Sequence, residues 1–91
     1  MTFEEARARF PVLDRYAYLN AGTNGPLARA TIDALVAQAQ RDLAEGRSGT
    51  AYFERMLELR EDARRAFAEV LRVDVDRIAL VESTTRGCAI G

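Results

Sequence analysis

Apolar positions in this chain of 91 residues recur mostly at helical spacing. Ile32, Leu35, Val36, Ala39 and Leu43 fall on one stripe and predict a long helix over residues 27–45. Gly46 stops that helix, and Gly46-Arg47-Ser48-Gly49 reads as a flexible link. Phe53, Met56, Leu57, Ala63, Phe67 and Val70 then mark the buried side of a second long helix over residues 50–71. Glu61 and Arg65 stand four apart on its wet side, a spacing that favours a helix slightly. Near the start, Thr2 and Glu5 have the spacing of a capping box, and Pro11 forces Phe10 out of the helical region. A short helix is therefore expected over residues 2–10.

Two segments break the helical period. Tyr16 to Asn20 reads as extended and leads into a turn, Asn20 to Pro26, where two glycines and two asparagines permit positive φ. Arg77-Ile78-Ala79-Leu80-Val81 reads as a short buried strand. The polar turn Glu82 to Gly87 follows it and opens a new helix. Two short strands cannot make a stable sheet by themselves. The expected class is thus α/β, mostly helical as it stands and incomplete: the front of a longer protein. Neither an internal repeat nor a low-complexity segment is present.

Composition narrows the chemistry. His is 0, and the 13 basic residues are all Arg, so Lys is absent as well. No imidazole is available as general base or metal ligand, and no lysine can form a Schiff base. A metal site and a catalytic residue of the common kinds are therefore not expected. One Cys cannot pair within the chain, and Cys88 reads as a small buried hydrophobe. Acids and bases balance at a net charge of −1, which argues against nucleic acid as partner. No apolar run is long enough for a membrane span, and the acidic start is unlike a secretory signal, so a cytoplasmic location is expected.

What remains is a strand, a hydroxyl-rich turn and a helix start over residues 78–87. Backbone N–H groups at such a start are unpaired, and the helix dipole adds positive charge there. Ser83, Thr84 and Thr85 add three hydroxyls, so a phosphate suits the place. The alternative is that Ser83 or Thr84 only caps a helix. Likewise, the glycine loop at 20–26 has a plain reading as a turn that feeds a helix.

Three stretches together resemble the opening of the class V aminotransferase family, pyridoxal-phosphate enzymes of fold type I. The first is Phe10-Pro11-Val12-Leu13 with Tyr18-Leu19-Asn20-Ala21-Gly22-Thr23-Asn24-Gly25-Pro26-Leu27. The second is Ala63-Arg64-Arg65-Ala66-Phe67-Ala68, and the third Ile78-Ala79-Leu80-Val81-Glu82-Ser83-Thr84-Thr85-Arg86-Gly87. Their order and spacing agree across nearly the whole chain. The flavour is nearest the isopenicillin N epimerase-like and cysteine desulfurase-like branches.

The resemblance implies an N-terminal fragment of the transferase fold, with residues 1–13 as a small-domain lead-in and 14–91 as the start of the large, cofactor-binding domain. It implies that Ser83, Thr84 and Thr85 form the cup for the phosphate of pyridoxal 5'-phosphate. It places Asn20, Ala21 and Gly22 near the substrate end of the pocket. The complete enzyme would act on amino acids as a homodimer. Arg86 has no matching motif role and reads as a solvated side chain. The chain departs from the family in lacking the ring-stacking residue, the Asp for the ring nitrogen and the Schiff-base Lys, so no activity is expected of it alone. Two rivals stand beside this reading: a small helical interaction module, and a stand-alone phosphate or nucleotide binder using Ser83 to Thr85.

Overall fold

The computed structural model describes all residues, 1–91. It contains four α-helices: α1 (Phe3–Ala8), α2 (Arg29–Glu45), α3 (Thr50–Leu71) and α4 (Thr84–Ile90). Two short 3-10 turns, Pro11–Asp14 and Val75–Arg77, complete the regular structure. The chain divides into two compact units, Met1–Gly46 and Arg47–Gly91.

In the first unit, α1 starts where the capping pattern places it. The Thr2 hydroxyl accepts from the Glu5 amide, and the Glu5 carboxylate accepts from the Thr2 amide at 2.7 Å. Two otherwise orphaned donors are thereby satisfied, an arrangement worth about 1 kcal/mol. Phe10 lies outside the helical region, as expected before Pro11, and the 3-10 turn follows. The Arg7 guanidinium donates to the Leu13 carbonyl and ties α1 to that turn. Helix α2 begins two residues later than its stripe suggests. Ala28 is extended and offers no capping side chain, and the Arg29 amide donates to the Arg9 carbonyl at 3.0 Å.

The second unit is built on α3, whose 22 residues match the sequence expectation. Gly46 and Gly49 stand at the two ends of the link with φ of 81° and 86°, the left-handed region that glycine enters without strain. At the far end, Arg72 adopts φ 54°, and the amides of Arg72 and Val73 both donate to the Ala68 carbonyl. This left-handed closure is one that glycine usually serves.

The α/β expectation is overturned. The structure is helical throughout, and neither residues 16–20 nor 77–81 form a strand. A strand is completed by a neighbour that takes its backbone hydrogen bonds, and neither segment has one. Arg77 instead closes the second 3-10 turn. Beyond it, Ile78 is extended, and its carbonyl is taken by the Arg64 side chain at 2.9 Å.

The expected buried faces are corrected for the same reason. Ala68 is the only buried residue, at 7% exposure. Ile32, Leu35, Val36 and Leu43 on α2 are exposed, and so are Phe53, Leu57, Phe67 and Val70 on α3. Met56 and Ala63 are half-buried. Without a sheet, the stripes have no surface to cover them. The ion pairs also differ from the expected spacing: Glu61 pairs with Arg64 and Arg65 with Asp62, each three apart.

Candidate functional site

The turn at 82–87 is built by Ser83. Its backbone is extended at φ −161° and ψ 160°, and its hydroxyl accepts from the Arg86 amide at 3.1 Å. The Gly87 amide donates to the Ser83 carbonyl at 3.1 Å. Ser83 is therefore the cap of α4, and its hydroxyl is engaged by the protein itself. Thr84 and Thr85 are the first two residues of the helix, exposed, with no protein partner for their amides or hydroxyls. Two unpaired N–H groups and two hydroxyls thus face outward at the positive end of a short helix, a set that suits an anion's oxygens.

Around this turn, the Arg86 side chain is exposed, with its Nε 4.0 Å from a Glu82 carboxylate oxygen. Such a contact adds little, and the carboxylate offsets any field Arg86 would lend an anion. Cys88 is exposed, which corrects the expectation of a small buried hydrophobe. Gly87 lies against Val81: a Cβ added there would meet Val81 Cγ2 at 3.4 Å. Val81 therefore lies beside the helix that carries the turn.

The second set of sequence candidates, Asn20, Ala21 and Gly22, belongs to the first compact unit, whereas Ser83, Thr84 and Thr85 belong to the second. The loop is held by two local bonds. The Tyr18 hydroxyl donates to the Asn24 carbonyl at 2.6 Å, and the Thr23 hydroxyl donates to Asn20 Oδ1 at 3.0 Å. A hollow of about 450 Å³ lies beside it, lined by Val12, Tyr16, Tyr18, Leu19, Asn20 and Thr23 among others. Ala21 and Gly22 do not line it. Positive φ was expected in this loop, but it occurs only at Gly46, Gly49 and Arg72.

Arg64 is the residue whose role the sequence reading missed. It is half-buried and makes four contacts, with Glu61 and with the carbonyls of Val75 and Ile78. One signal was available. Glu61 stands three residues before Arg64 on the same helix face, a spacing that pairs the two, but the backbone acceptors of Arg64 leave no mark in the spacing. No three His, Cys, Asp or Glu side chains gather as a metal site needs. No helix is long and apolar enough to cross a membrane.

Comparison with known proteins gives no relative: no protein-family model, curated protein or solved structure matches this chain.

Proposed function

We propose that this chain is the N-terminal portion of a pyridoxal-phosphate-dependent, class V aminotransferase-like enzyme acting on amino acids. Its own contribution is the turn at Ser83, Thr84 and Thr85, which takes the cofactor's phosphate. The observation that carries this reading is the division of labour in that turn. Ser83 spends its hydroxyl on the helix start, and so leaves the amides and hydroxyls of Thr84 and Thr85 for a ligand.

The residues present fit the phosphate end of the group and nothing beyond it. With 13 Arg, no Lys and no His, the chain has no side chain for the aldehyde and no imidazole for the ring. When bound, pyridoxal phosphate supplies an electron sink for carbanion chemistry. The residues here hold and orient its anionic tail and carry no proton. Asn20, Ala21 and Gly22 stand, in this proposal, near the substrate. The complete enzyme is proposed to be a cytoplasmic homodimer that binds neither nucleic acid nor membrane.

Equilibrium dialysis of the chain against pyridoxal 5'-phosphate and against pyridoxal tests the reading. The phosphate-bearing compound should bind measurably better, and replacing both threonines (Thr84→Ala with Thr85→Ala) should abolish the difference. Equal binding of the two compounds overturns it.

A second reading has one specific observation in its favour. The apolar stripes of α2 and α3 remain exposed, with Leu43 at 89% and Phe53 at 63%. A helical interaction module would present such faces to a partner.

A further inference from the structure

The contacts of Arg64 go beyond what a surface ion pair requires. Its Nη1 donates to both Glu61 carboxylate oxygens, at 2.8 and 3.0 Å. Its Nε donates to the Ile78 carbonyl at 2.9 Å, and its Nη2 to the Val75 carbonyl at 2.9 Å. The side chain is only 23% exposed. A planar guanidinium oriented on one edge by a carboxylate presents its other donors at fixed angles. Here those donors grip two backbone carbonyls: that of Val75, which also accepts the Ile78 amide and so closes the 3-10 turn, and that of Ile78, which the Arg64 side chain satisfies in place of a strand neighbour.

The gripped segment is the one that leads to the candidate turn. From Ile78 the chain runs to Ser83 through Ala79, Leu80, Val81 and Glu82. Ile78 and Ser83 are both extended. Val81 then meets α4 at Gly87. Position is thus passed from α3 through Arg64 to residues 75–78, and from there through Val81 to the helix that carries Thr84 and Thr85. A seven-residue helix is too short to be stable unaided, so its placement must come from such contacts.

We propose that Arg64, oriented by Glu61, is a positioning residue: it latches the Val75–Ile78 backbone to α3 and thereby sets where the Ser83–Thr85 turn stands. Its functional consequence rests on the phosphate reading given above; the latch itself does not. Lysine cannot replace it, because a single ammonium cannot serve the carboxylate and two separated carbonyls together.

Amide exchange and chemical shifts of the whole chain test this, with Arg64→Lys and Glu61→Gln as variants. In Arg64→Lys, amides from Ile78 to Arg86 should shift and exchange several-fold faster. Those of the first half of α3 should stay as they are. Glu61→Gln should give a smaller change at the same residues, and it serves as the test if Arg64→Lys disturbs all of α3. Inorganic phosphate added to Arg64→Lys should move the Thr84 and Thr85 amides several-fold less than in the parent chain. Unchanged amides at 78–86 in both variants, with α3 intact, overturn the latch even if the parent chain binds phosphate. A parent chain that ignores phosphate, with the exchange effect present, overturns the phosphate reading and leaves the latch standing.

Discussion

At the scale of single residues, the chain is held by side chains that satisfy backbone groups. Thr2, Ser83 and Arg64 each do so, and each is a local solution to an unpaired donor or acceptor. Arg72 is the exception that carries strain. Its φ of 54° is a left-handed conformation, which costs a residue bearing a Cβ about 1–2 kcal/mol. Glycine would remove that strain but lose more entropy on folding, at about 0.5–1 kcal/mol. Arg72→Gly should therefore stabilise the chain by about 0.5–1 kcal/mol. Urea titration followed by circular dichroism checks this; a loss of stability would mean that the Arg72 side chain makes a favourable contact.

At the scale of elements, helix limits were legible because their signals are local. The capping box fixed the start of α1, Gly46 the end of α2, and Gly49 the entry to α3. The strand expectation failed because pairing is not local. Residues 78–81 have the apolar, β-branched character of a strand, yet nothing in that segment states whether a neighbour exists. The same gap misjudged the stripes. Spacing showed which positions share a face, but not that the face is uncovered. A helix whose apolar side stays wet gains little stability from tertiary packing. Calorimetry should thus show a broad transition, with an enthalpy well below the roughly 0.7 kcal/mol per residue of ordinary globular proteins. A sharp two-state melt with the full enthalpy would mean that the stripes are covered in solution.

At the scale of the whole molecule, the candidate site was legible in part. Ser83, Thr84 and Thr85 could be picked out because hydroxyls before a helix have a known use. Their division into one cap and two free residues needed the backbone of Ser83 and its bond to the Arg86 amide. Arg64 could not be connected to the turn from spacing, since its acceptors are carbonyls 11 and 14 residues away. The proposed function turns on whether Thr84 and Thr85 receive an anion. The most direct measurement is a titration of the isotopically labelled chain with inorganic phosphate in the cold, read at each backbone amide. Saturable shifts centred on Thr84 and Thr85, and absent when chloride replaces phosphate, are the predicted result. Amides at 84 and 85 that stay still, or that move no more than those scattered over α2 and α3, would contradict it.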